Sequence, residues 1–96
     1  MILSVLSALA EPTRLGVIAL LADGSEHCAC ELMPKLDATQ SRMSRHMQVL
    51  RQAGLVVDRR DAQWVRYRLN PDMAPEIRQI IDAVLEASQK QDRVAA

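Results

Sequence analysis

The chain has 96 residues with twelve basic and twelve acidic side chains, a formal charge of zero, so it is read as one small domain (1–96). A single core of this size supplies only a few kcal/mol, so a partner subunit would help, and neutrality makes total charge silent about a polyanionic partner. Apolar residues make up 49%, yet there is no Phe and only one Trp and one Tyr; the core must come from Leu, Ile, Val, Met and Ala, a composition that favours helices. The start, MILSVLSALAEPTR, lacks a basic n-region and meets charge at Glu11, which argues against a secretory signal or a membrane span and for a cytoplasmic protein.

The elements are predicted as helix, helix, helix, helix, hairpin, helix. An apolar helix covers about Ile2 to Leu9. Pro12 suits the first turn of a second helix, with Leu15, Ile18, Leu21 and Ala22 on one face and Gly24 ending it. Met33 to Leu36 fall in a short third helix, Asp37 to Thr39 turn the chain, and a fourth helix runs from about Gln40 to Gln52, closed by Gly54. In LVVDRRDAQWVRYRL, Val65, Tyr67 and Leu69 alternate with Trp64, Arg66 and Arg68, the pattern of a half-buried hairpin with its tip near Asp61 and Ala62. Ile77, Ile80, Ile81, Val84 and Leu85 then stripe a last helix beginning after Pro75, before a polar tail over 88–96 that is expected to fray. The fold class is mainly α with a β-hairpin (α+β), and the leading architecture is a winged helix-turn-helix. A small α+β interaction domain without DNA is the alternative.

At 100° per residue, Met43, Met47 and Leu50 share one face of the fourth helix, with Ser41, Arg45 and Gln48 opposite and Arg42 and Ser44 flanking. Arg can read guanine, Gln can read adenine, and Ser can serve phosphates or base edges. Between Arg42 and Arg68, seven arginines face two aspartates, a local balance of +5 in a neutral chain. Gln40, Ser41, Arg42, Ser44, Arg45 and Gln48 are therefore the expected DNA-binding residues of the helix, with Arg59, Arg60 and Arg66 on the wing. His46 lies at the boundary of the two faces and is assigned packing or a phosphate contact. The terminal helices, about 2–9 and 76–90, are the expected homodimer surface through Leu3, Leu6, Ile77, Ile81, Val84 and Leu85, because such a stripe exceeds what a small monomer covers. No nucleophile, base and orienting group fall into a recognisable arrangement, and no glycine loop cradles phosphate, which argues against an enzyme.

Two cysteines stand one residue apart in HCACELM. A Cys28–Cys30 disulfide would close a strained small ring, which argues against a structural bridge. On a regular helix, residues i and i+2 point about 200° apart, so two thiolates could not grip one ion there. Pro34 would clash with the carbonyl of Cys30 in an established helix, so the third helix is expected to begin around Glu31 or Leu32, leaving both cysteines extended and able to chelate.

EPTRLGVIALL, HCACEL, ATQSRMSRHMQVLRQAGLV and WVRYRL, in that order over roughly residues 3 to 85, closely resemble the ArsR/SmtB group of metalloid- and metal-responsive repressors. The resemblance implies a homodimeric winged-helix repressor that binds an inverted-repeat operator and leaves it when inducer binds. It places the metalloid ligands at Cys28 and Cys30, with As(III) or Sb(III) as inducer. The arsenic-sensing branch typically shows C-x-C-x-x-C, whereas Met33 stands at the third position here. A third donor for an inorganic species would be a small thiol, hydroxide, the Met33 thioether or His27, while a methyl arsenical or Hg(II) needs only two thiolates. The zinc pattern of Asp and His in the last helix is rejected, since no His follows His46. Two alternatives stay open: a thiol redox-responsive repressor of the same fold, and a dimeric interaction module without DNA.

Overall fold

Side-chain chemistry at the helix junctions sets where each element starts. The structure is a computed structural model that describes residues 2–95, with side-chain surroundings through residue 91. Helix α1 (Ile2–Leu9) gives way to α2 (Pro12–Leu21), with Pro12 in the first helical turn. There the Glu11 carboxylate accepts the Arg14 N–H at 2.8 Å, while Arg14 Nε donates to the Ala8 carbonyl at 2.7 Å and Nη2 to that of Ser7 at 3.2 Å. One four-residue segment, EPTR, thus caps the start of α2 and the end of α1.

A two-residue strand β1 (His27–Cys28) leads into α3 (Ala29–Leu36), then α4 (Gln40–Gln52), β2 (Val56–Asp61), β3 (Trp64–Leu69) and α5 (Pro75–Ala95). The sheet is antiparallel in the order β1-β3-β2, with His27 opposite Tyr67 and Cys28 opposite Arg66. Sequence analysis missed β1, because two residues carry no period. Helix α3 begins at Ala29, earlier than Glu31 or Leu32, and Pro34 lies inside it. The reason is a reciprocal cap: the Cys28 N–H donates to Glu31 Oε1 at 3.1 Å and the Cys30 N–H to Cys28 Sγ at 3.2 Å, satisfying donors that the proline argument left out of account. Asp37 ends α3 with a left-handed φ of 52°, and Thr39 Oγ1 starts α4 by accepting the Arg42 N–H at 3.3 Å. Helix α5 runs to Ala95, with a Glu86–Lys90 pair at 2.9 Å on its surface.

The core gathers Ile18 and Leu21 of α2, Leu32 of α3, Met43, Met47 and Leu50 of α4, Leu55, and Ile81 of α5, all buried. Each such side chain contributes roughly 1.5–3 kcal/mol, so four helices and the base of the wing are held around one cluster. Among the described residues, no single helix is long and apolar enough to cross a membrane.

The hairpin tip requires a left-handed backbone at Ala62, φ 57°, which costs a Cβ-bearing residue roughly 1 kcal/mol. Ala62→Gly is expected to stabilise the protein by about 0.5–1 kcal/mol, net of glycine's greater unfolded-state entropy, read as a higher midpoint in urea unfolding.

Candidate DNA-reading surface and thiol site

Burial of Met43, Met47 and Leu50 fixes the rotation of α4 about its axis. Gln40, Ser41, Arg42, Ser44, Arg45 and Gln48 are consequently all exposed, on the side opposite the core as their spacing required. His46 is half-buried: its Nδ1 lies 3.4 Å from Arg14 Nη1 and 3.7 Å from Glu11 Oε2. It docks α4 onto the EPTR segment, which is the packing role expected from its boundary position.

On the wing, the arginines divide into two groups. Arg59 is held bidentately by Glu26, both N–O distances being 2.8 Å, and Arg66 pairs with Asp61 at 2.9 Å and reaches Glu31 at 3.8 Å. Arg51 pairs with Asp58 at 2.9 Å. By contrast, Arg42, Arg45, Arg60 and Arg68 have no carboxylate within ion-pair distance among the described residues. Glu26, 33 positions from Arg59, carried no signal in the sequence, since only the β1–β3–β2 sheet brings the two together.

The cysteine pair sits where β1 becomes α3. Cys28 is extended (φ −69°, ψ 147°) and buried, whereas Cys30 is in the first turn of α3 and exposed. The Cα atoms lie 5.1 Å apart and the structure joins the two sulfurs as a disulfide, correcting the expectation that ring strain would keep them unbridged. The cap explains how an i, i+2 pair converges: Cys28 lies outside the helix and folds its sulfur back over the first turn. His27 is directed elsewhere, with Nε2 at 2.9 Å from Ser25 Oγ and Nδ1 at 3.4 Å from Glu31 Oε2, so it is no third ligand in this arrangement. Among the described residues, no cluster of three or more His, Cys, Asp or Glu side chains could hold a metal.

Glu31 joins these parts. Its carboxylate takes the Cys28 N–H, faces His27 and reaches Arg66 of the wing, and the bond from Cys28 is the main cause that holds its pKa below the ordinary 4.5. Glu26 is likewise lowered, chiefly by its hydrogen bonds from Arg59, whose own pKa is raised by the same contact. Burial is the main cause that pushes the Tyr67 phenol upward, so it stays neutral.

The residues expected at the dimer surface differ in their burial within one chain. Leu3 is 77% exposed and Leu6 44%, but Ile81 is fully buried and Leu85 nearly so within one chain, so these two serve the core. Ile77 and Val84 are half-buried. The α5 stripe is thus divided between residues packed into the core and residues left partly open.

A short helix, a left-handed turn, a second helix with a polar outer face and a flanking hairpin define a winged helix-turn-helix DNA-binding regulator. The profile described as "Bacterial regulatory protein, arsR family" matches residues 11–57. The arsenical resistance operon repressor of Escherichia coli (strain K12) is 42% identical over 82 residues, covering 85% of this chain and 70% of that protein. The chain belongs to the arsR family of transcriptional repressors. HlyU from Vibrio cholerae N16961 superposes with a TM-score of 0.77 at 33% identity over 88% of each chain. The homodimeric winged helix-turn-helix domain Mb0332 from Mycobacterium bovis shares the fold, with a TM-score of 0.76 at 23% identity over 94% of this chain and 80% of that one.

Because Glu31 and Glu26 have lowered folded-state pKa values, their stabilisation is present above the ordinary glutamate value of 4.5 and is lost as pH falls through the lower folded values. Melting temperatures measured from about pH 5 to about pH 3 should therefore fall more steeply for wild type than for Glu31→Gln or Glu26→Gln.

Proposed function

We propose that this repressor binds an inverted-repeat operator as a homodimer and is released when the Cys28/Cys30 dithiol binds trivalent arsenic or antimony. The observation that carries the reading is the position of Cys28. Its backbone pairs with Arg66 of the wing, its sulfur caps α3, and its N–H is held by Glu31. When both sulfurs bond one soft ion, Cys28 Sγ is withdrawn from the Cys30 N–H and the first turn of α3 must adjust. That shift passes to α4 through the Asp37–Thr39 turn and to the wing through Glu31 and Arg66. Reciprocity requires operator DNA to weaken inducer binding by the same factor, typically about 1–3 kcal/mol. Homodimerisation is supported by the exposed face of α1 and by the homodimeric relative of the same fold.

Base reading falls to Gln40, Ser41, Arg42, Ser44, Arg45 and Gln48, and phosphate contact to Arg60 and Arg68. Arg59 and Arg66 contribute less than sequence alone suggested, since each already has a carboxylate partner. Arg45→Ala should cost roughly 1–3 kcal/mol of operator affinity, and Arg60→Ala should lower the salt slope by about one. Arg59→Ala should change either quantity less, as read by fluorescence anisotropy across a salt series.

The sensor assignment is tested with reduced protein on operator DNA. Arsenite should release wild type and leave Cys28→Ser/Cys30→Ser bound; equal release of both would remove the pair from the mechanism. The pairing of the two sulfurs favours one second reading, a redox-responsive repressor. In that case peroxide without any metalloid should release the DNA, and a small-molecule thiol should restore binding.

A further inference from the structure

Each guanidinium nitrogen of Arg14 has its own partner. Nε donates to the Ala8 carbonyl at 2.7 Å and Nη2 to the Ser7 carbonyl at 3.2 Å, both at the end of α1, while Nη1 lies 3.4 Å from His46 Nδ1 on α4. A guanidinium only donates, so Nδ1 accepts and the ring proton sits on Nε2. Glu11 closes the cluster at the start of α2: its carboxylate takes the Arg14 N–H at 2.8 Å and stands 3.7 Å from the same imidazole nitrogen. Helix α1 carries the exposed apolar side chains Ile2, Leu3 and Leu6, and α4 carries the polar reading face. We infer that Arg14 is a positioning residue for operator binding: through His46 it sets where the reading helix stands relative to α1, and so which spacing between half-sites the dimer accepts. The inference rests on the reading of the chain as a homodimer on an inverted repeat and adds a determinant of which repeats it takes.

Direction is the first argument. Met43, Met47 and Leu50 are buried and fix the rotation of α4, but apolar contact is non-directional and holds shifts along the helix axis, and tilts of it, only loosely. Hydrogen bonds are directional, and the guanidinium is a planar fork of fixed shape. Anchored by two carbonyls of α1 and meeting the side of α4, that fork defines both a distance and an angle between the two helices.

The geometry of the duplex is the second argument. In a two-fold dimer, the two reading helices are held apart by a path that runs from α4 through this contact to α1 and across to the partner. One extra base pair between the half-sites moves one of them by about 3.4 Å and turns it by about 35°. A rigid path cannot follow that change, whereas a loosened one follows part of it.

The test uses a duplex enriched by wild-type protein from a randomised library, and versions of it with one or two base pairs inserted or deleted between the half-sites. Affinities are read by fluorescence anisotropy at one salt concentration, and each variant is checked by thermal melting. For wild type, one inserted pair should lower affinity by about tenfold or more, the scale on which misplaced base contacts are lost. His46→Leu leaves both α1 carbonyls capped but offers Arg14 no acceptor; its spacing penalty should shrink severalfold, and its affinity for the original spacing should fall. His46→Asn, whose amide oxygen stands near the place of Nδ1, should restore most of the penalty. Arg14→Lys, whose single ammonium lacks the fork, should behave as His46→Leu does. A penalty in folded His46→Leu equal to that of wild type would overturn the positioning role. So would a loss of affinity uniform across all spacings, which marks a phosphate contact or general destabilisation. Enrichment of unpaired half-sites by wild type would instead overturn the homodimer reading on which the inference rests.

Discussion

The junction at Cys28 imposes the constraint on which the connection between α3 and the wing depends. A two-residue strand has to end there, a helix has to begin, and both sets of backbone groups have to be satisfied within one residue. Pairing with β3 satisfies the strand, while Glu31 and the cysteine sulfur satisfy the helix. A chemical change at the sulfur is therefore felt at once by the start of α3 and by the wing. An exposed cysteine pair on a helix surface would have no such reach.

The DNA-reading half rests on a different balance. Three buried side chains of α4 hold its outward face in position, and charge pairing then decides which arginines remain available. The local excess of arginine is partly neutralised through Glu26, Glu31, Asp58 and Asp61. Among the described residues, this leaves Arg42 and Arg45 on α4 and Arg60 and Arg68 on the wing without a carboxylate partner. Ion pairs at exposed positions add little stability, typically 0–1 kcal/mol; here they hold Arg51, Arg59 and Arg66 against carboxylates of neighbouring segments.

Much of this was legible before any coordinates. The bounds of α1 and α4, the hairpin and its tip follow from periodicity and turn residues, because local backbone preference and the direction of burial agree in those segments. The start of α3 was misplaced by weighing Pro34 without the cap formed by Cys28 and Glu31. The α5 stripe was assigned to the dimer surface with part of it expected to serve the core, and within one chain Ile81 and Leu85 are the part that faces inward; spacing alone does not separate the two uses. The Cys28–Cys30 bridge was argued against from the strain of a small ring, and the two residues lie across the boundary between strand and helix, where the sulfurs meet.

By itself the sequence determined the order of elements, the polar outer face of the reading helix and the identity of two thiols with Met33 in place of a third, since these depend on residue type and local spacing. Tertiary structure alone decided that Glu26 would claim Arg59, that Glu31 would tie Cys28 to the wing, and that the cysteines would border a cavity between α3, α4 and β3. Those relations join residues distant in the chain, and only the packing of α3, α4 and the sheet around a common core brings them within reach.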